Sequence, residues 1–121
     1  MFPQIETVDV TTDGSQAATV YSTPIRGRLE SIEYVKTDFT DGVDFTITNE
    51  TTGETLWTES NVNAAKVCCP RRATHSTLGV AATYDGTRAV LDHCYLCNDR
   101  VKIIIASGGS ATTGAFRVVW S

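Results

Sequence analysis

Between Val43 and Trp57 the chain alternates: Val43, Phe45 and Ile47 are apolar, and Asp44, Thr46 and Thr48 between them are polar. A period of two sends one set of side chains to one face of a β-strand and the other set to the opposite face. The polar run Asn49-Glu50-Thr51-Thr52-Gly53 follows, and the chain resumes through Glu54 to Trp57. That order predicts a β-hairpin. Gly53 fits the left-handed position that closes such a loop, which a β-branched residue occupies only with strain. Whatever else the chain forms must pair with this hairpin or cover its apolar face.

The flanking sequence reads as more strands. In residues 5 to 23, Ile5, Val8, Val10, Val20 and Tyr21 are separated by the turn cluster Thr11-Thr12-Asp13-Gly14-Ser15. Their alternation is weak, so residues 1–23 are expected as an extended N-terminal arm, and residues 24–121 as the core. Such an arm either folds onto its own sheet as an edge strand or lies on a partner. The stretch Arg28 to Val35 keeps its apolar residues on the core face only if the register breaks near Ser31, which predicts a bulge or a two-sided strand. Ala64 to Cys69 forms a short strand that Pro70 ends, because proline cannot donate to a ladder. Leu78 to Tyr84 is the one place where a helical turn is expected, against the preferences of Gly79, Val80 and Thr83. Ala89 to Leu96 is strand-like, and Asn98-Asp99 is a turn. Val101 to Ala106 is apolar on both faces after Lys102, as in a central strand. Ser107 to Gly114 is expected as a flexible connection before a last strand on which Phe116, Val118 and Trp120 share a face. About eight short strands with almost no helical periodicity predict an all-β fold. Within that class the strands predict a single antiparallel domain, a β-sandwich, a jelly roll or a small barrel, and 121 residues suffice for one core.

Charge narrows the partners. Ten basic against fourteen acidic side chains give a net charge of −4, the wrong sign for a protein that neutralises phosphates, so nucleic acid is not expected to bind. Met1-Phe2-Pro3-Gln4 has neither a basic nor an apolar signal region, and no apolar run approaches the roughly 18 residues of a membrane span. A soluble protein made in the cytoplasm is expected, with no membrane partner. The Asn49-Glu50-Thr51 sequon is then hairpin-loop chemistry.

Several groups of residues invite a chemical reading. Cys68-Cys69 and Cys94-Tyr95-Leu96-Cys97, with His75 and His93 nearby, are candidates for zinc. Zinc needs four convergent ligands, yet adjacent cysteines on a strand point to opposite faces, as do residues three apart. A disulfide from Cys68 or Cys69 to Cys94 or Cys97 is a second possibility. The reading adopted is that all four are small buried hydrophobes in a reducing compartment, with no metal and no cofactor. Asp38, Asp41 and Asp44 lack the spacing of a calcium loop and read as a solvated acidic loop. Asp92-His93 suggests a hydrolase, but no nucleophile elbow, HExxH or P-loop accompanies it, and no catalytic residue is assigned. Trp57, Trp120, Tyr21, Tyr34 and Tyr84 are candidates for a sugar-binding face, with Phe45, Trp57, Phe116 and Trp120 assigned to the core instead. Arg71, Arg72, Arg88 and Arg100 are candidates for an acidic partner.

Five stretches carry a resemblance to a known family: Thr23-Pro24-Ile25-Arg26-Gly27-Arg28-Leu29, Gly42 to Thr48 with Thr52-Gly53-Glu54, Pro70-Arg71, Asn98 to Ile103, and Gly108-Gly109 with Thr113-Gly114. Together they resemble the capsid cement, or head decoration, proteins of tailed phages such as those infecting Bordetella. The resemblance runs from about Thr23 onward and rests on turn and strand residues, and the chain departs from it at Cys68-Cys69 and at Cys94 to Cys97. It implies a jelly-roll-like sandwich on the capsid exterior of the virion that binds the major capsid protein, forms a homo-oligomer and holds capsomers together. A dimer is expected, because two-fold pairing is the commonest closed symmetry. In that role the N-terminal arm pairs with a neighbour and is mobile until assembly orders it. A tail or head-tail junction protein and a carbohydrate-binding sandwich are the competing expectations.

Overall fold

The organising hairpin forms as the alternation predicts. In the computed structural model, which describes residues 2–121, β4 (Val43–Asn49) runs antiparallel to β5 (Thr55–Val62). Gly53 has φ +74°, and its amide donates to the Asn49 carbonyl to close the loop. Val43, Phe45 and Ile47 are buried, and the polar residues between them face outward. Asn49 is itself buried, so the sequon offers no accessible amide.

Eight further strands complete the fold among the described residues: β1 (Gln4–Thr11), β2 (Ala18–Tyr21), β3 (Ile25–Lys36), β6 (Lys66–Cys68), β7 (Arg71–Ala73), β8 (Leu91–Asp99), β9 (Val101–Ala106) and β10 (Thr113–Trp120). One sheet has the order β1-β10-β3-β8-β7, with β6 also pairing β3, and the other has the order β2-β9-β4-β5. All pairings are antiparallel, and the two sheets enclose one apolar core in a β-sandwich. The break expected near Ser31 is present: Val119 lies opposite Ser31 but Trp120 opposite Leu29, skipping Glu30. The extra residue lets Leu29 and Ile32 both point into the core. At the same bulge β3 changes partner, from β8 along residues 25–29 to β6 along residues 32–34.

Residues 4–11 and 18–21 form edge strands of the two sheets. β1 pairs with β10 from Gln4–Trp120 to Thr11–Thr113 and buries Val8 and Val10, while β2 pairs with β9 in the opposite sheet. The weak alternation reflects this division, since one segment crosses from sheet to sheet at the Asp13 turn. Two other expectations are corrected. Residues 78–84 form turns and no helix, because the Ser76 amide bonds to the Val80 carbonyl at 2.8 Å and folds the chain back on itself. Residues 107–112 are a knitted corner in place of a flexible connection: Gly108 and Gly109 are buried, and Thr12 Oγ1 donates to the Gly109 carbonyl at 2.6 Å. β9 is an interior strand as expected, but its second apolar face is open, with Ile104 37% exposed.

An aromatic cluster joins the sheets. Tyr34 and Phe116 come from one sheet, Phe45 and Trp57 from the other; Phe45 lies 5.5, 5.2 and 4.7 Å from the rings of Tyr34, Phe116 and Trp57. Phe39 packs beside them over Gly114, where an added Cβ would fall 2.6 Å from its ring. Tyr34, a candidate for a sugar-binding face in the sequence, is fully buried, and its hydroxyl has no hydrogen-bond partner among the described residues. Burial, aided by the negative charge of Asp41, pushes its pKa from 10.0 up to about 12. The folded state therefore holds this proton more tightly than the unfolded state, and stability is lost as pH rises from about 10 through about 12. That linkage amounts to roughly 3 kcal/mol once both states have ionised. Tyr34→Phe is expected to stabilise the protein by ~1 kcal/mol at pH 7, because the orphaned hydroxyl is removed without losing the ring. It is also expected to flatten the alkaline limb. Urea midpoints of both proteins at pH 7 and pH 11 test this, and a variant weaker than wild type at pH 7 would refute it.

Candidate functional site

The chain between β7 and β8 builds a lobe that stands off the sandwich. Residues 74–81 and 82–89 form two successive loops closed in the same way, by bridges His75–Ala81 and Thr83–Ala89 and by Ser76 N–H···O Val80 at 2.8 Å and Tyr84 N–H···O Arg88 at 3.1 Å. Three backbone hydrogen bonds lock their shared base in a closed circuit: Thr74 donates to Val90 (2.8 Å), Val90 to Ala82 (2.9 Å), and Ala82 back to Thr74 (2.9 Å). The Thr74 hydroxyl adds a bond to the Val90 carbonyl at 2.9 Å. At one tip the Asp85 carboxylate accepts from the amides of Arg88 (2.6 Å) and Thr87 (2.9 Å), and these bonds hold its pKa below the ordinary carboxylate value. The lobe is thus held by its own backbone, which leaves its apolar side chains in water. Leu78 is 86% exposed and Tyr84 65%, with Val80, Val90 and Leu91 beside them in the sequence. Five exposed large apolar side chains in one short stretch make the lobe the candidate contact region among the described residues.

The opposite edge of the sheet carries a second exposed set. β1 ends the strand order, so one side of its backbone is unpaired within the sheet. Phe2 and Ile5 at its start are 85% and 62% exposed. Of the eleven exposed large hydrophobic residues described, seven lie in these two regions, and Tyr21, Val67, Tyr95 and Ile104 lie elsewhere.

The sequence candidates for chemistry disperse. The expectation that all four cysteines are buried is corrected: Cys94 lies in the core and Cys68 is partly buried against it, but Cys69 and Cys97 are exposed, because neighbours on a strand and residues three apart point to opposite faces. All four are free thiols, and burial raises the pKa of Cys68 and Cys94. Among the described residues no three His, Cys, Asp or Glu side chains gather as a metal site. Asp38 accepts from the Thr113 amide, Asp41 pairs with Lys36, and Asp44 accepts from the Asn61 amide at 2.9 Å, so the three carboxylates serve three separate partners. His93 sits between Asp92 Oδ1 (3.4 Å from Nδ1) and Glu30 Oε2 (3.2 Å from Nε2). The Ser121 hydroxyl donates to Glu30 at 2.8 Å, away from the imidazole, and this bond, followed by His93, lowers the Glu30 pKa. The geometry is that of a braced bulge, with no nucleophile set against a base.

Trp57 is buried and Trp120 packs against the core, so neither tryptophan forms a sugar platform. Arg72 pairs with Glu54 at 3.3 Å, Arg88 with Asp85 at 3.4 Å and Arg100 with Glu50, while Arg71 reaches the carbonyls of Pro70 (2.7 Å) and Glu30 (3.3 Å). Among the described residues no pocket opens into the sandwich. The lobe is the exposed apolar region that sequence reasoning missed. Its available signal was the run of apolar residues in a turn-rich stretch where no strand period could bury them. In comparisons with known proteins, no family model and no curated protein matches the chain.

Proposed function

We propose that this chain is a structural virion protein, a capsid cement or decoration protein that binds the outside of a tailed-phage head and bridges neighbouring capsomers. The observation that supports the reading most is the placing of exposed apolar side chains at two opposite edges of a sheet in a braced sandwich. A bridging protein needs two contact surfaces held at a fixed separation, and it needs no chemistry. Each contact is modest, and many copies on a regular lattice multiply the effect. The family resemblance of the strands and turns points the same way.

The test is quantitative binding of the purified protein to empty, expanded capsids that lack it, followed by heating with and without the protein. Saturation on the order of hundreds of copies per head, with shells rupturing at a higher temperature, is the expected result. Saturation at a dozen or fewer would move the protein to a tail or head-tail junction. A folded protein that binds no capsid would refute the reading.

A further inference from the structure

The outer face of the four-stranded sheet is nearly free of charge. Of the charged residues in its strands, Lys102 and Asp44 alternate with buried neighbours and point outward, while Glu59 turns to Lys66 and Trp57. The outer face of the six-stranded sheet carries instead the ion pairs Arg28–Glu30 and Arg117–Glu33. Across the middle of the four-stranded face, Thr19, Ile104, Thr46 and Thr58 stand in register. Ile104 is exposed there, and the Thr46 and Thr58 hydroxyls bond to each other at 3.2 Å, which lowers the cost of taking them out of water. Lys102 lies two residues from this row toward one end of the face, in register with Tyr21 and Thr48. Asp44 lies two residues from it toward the opposite end, in register with Ala106. Among the described residues neither forms an ion pair: Glu50, near Lys102, is taken by Arg100, and Asp44 accepts the Asn61 amide.

We propose that two copies of this chain pack face to face through this surface, related by a two-fold axis that runs along the row from Thr19 to Thr58. Such an axis keeps Ile104 over Ile104 and reverses the direction of the strands. Lys102 of each copy then lies over Ala106 of the other, one strand spacing from Asp44, and the two charges form a pair at each end of the contact. An axis along the strands would set Lys102 beside Lys102 and Asp44 beside Asp44, which like-charge repulsion opposes. The charges therefore select one of the two ways in which the face can meet a copy of itself. Four strands and the seven residues of β4 give a patch of about 19 Å by about 23 Å, at the small end of specific interfaces. The dimer is accordingly weak, and dilute samples such as those used for urea unfolding are monomeric. The contact uses neither the β1 edge nor the lobe, and it does not rest on the virion role.

The test is sedimentation of the full chain across a concentration series at low and high salt, without capsids. A weight-average mass that rises toward about twice 13.1 kDa with concentration, and falls back as salt is added, is expected. Three variants then probe the face, each checked for folding by circular dichroism. Ile104→Lys sets two cations against each other on the axis and is expected to stay monomeric. Lys102→Asp leaves only acidic charge on the face and Asp44→Lys only basic charge, so each alone is expected to be monomeric. An equimolar mixture of those two is expected to associate at least as well as wild type, because every facing pair is then of opposite sign. The proposal falls if wild type is monomeric at every soluble concentration, if folded Ile104→Lys associates as wild type does, or if the mixture stays monomeric. A mass that climbs past the dimer would also overturn it, since a closed two-fold contact cannot propagate. A monomer that still saturates capsids would overturn this contact and leave the virion role standing.

Discussion

Phe45→Ala is expected to lose about 3–5 kcal/mol of stability, a large share of the roughly 5–15 kcal/mol that holds a typical domain together. Phe45 is one of the residues through which the two sheets touch: its ring meets Tyr34 and Phe116 from the six-stranded sheet and Trp57 from its own. Truncation removes the apolar burial and leaves a cavity that three other aromatic rings, fixed on separate strands, cannot fill by collapsing. The edge contacts with Phe116 and Trp57, both at 78°, add roughly 0.5–1.5 kcal/mol each beyond area. Urea unfolding at pH 7 measures the loss. Ile104→Ala, on the open face of β9, serves as the control and should shift stability by no more than ~0.5 kcal/mol. A Phe45→Ala midpoint within that same range would mean that the cluster does not hold the sheets together.

Gly27→Ala is expected to lose about 2–5 kcal/mol through two separate causes. The residue has φ +128°, which side-chain-bearing residues rarely adopt, and its added Cβ would lie 2.3 Å from the Ser121 carbonyl oxygen. That carbonyl accepts from the Arg28 amide at 2.8 Å, and the Ser121 amide donates back to Arg28 at 2.9 Å, so the clash falls on a paired backbone. Relief requires Ser121 to leave β3, which also separates its hydroxyl from Glu30. The matched control is Gly14→Ala, which meets nothing within 4 Å. Thermal unfolding of the two variants side by side is the measurement, and equal midpoints would dismiss the clash.

The parts of the fold legible in the sequence are those where burial imposes a period. The β4–β5 hairpin, the bulge beside Ser31 and the shared face of Phe116 and Val118 all follow from which side chains must point inward. Legibility ends where the backbone satisfies itself. The lobe buries almost nothing, so no pattern of apolar residues encodes it, and a short apolar run with a glycine reads equally as a loose helical turn. Residues 107–112 read as flexible because of their glycines, yet those glycines admit the close approach of Thr12 and Thr40. The exposed apolar residues at the two edges, Phe2 and Ile5 on one and Leu78, Val80 and Tyr84 on the other, are visible in the sequence as residues that no strand period buries. Their placement at opposite ends of one sheet is a property of strand order, which the sequence does not spell out.

The closed circuit at Thr74, Ala82 and Val90 has a consequence for how such a protein changes over time. Because the chain leaves and re-enters the sandwich at hydrogen-bonded neighbours, the two loops make no demand on the strands beneath them. Their tips, around Leu78 and Gly86, can lengthen, shorten or exchange residues while the junction carries on as a fixed socket. The loop tips and the packed core are thereby written in separate stretches of one short chain. A new partner can be tried at the tips without putting the shell of strands at risk, and a designer can graft onto the same socket.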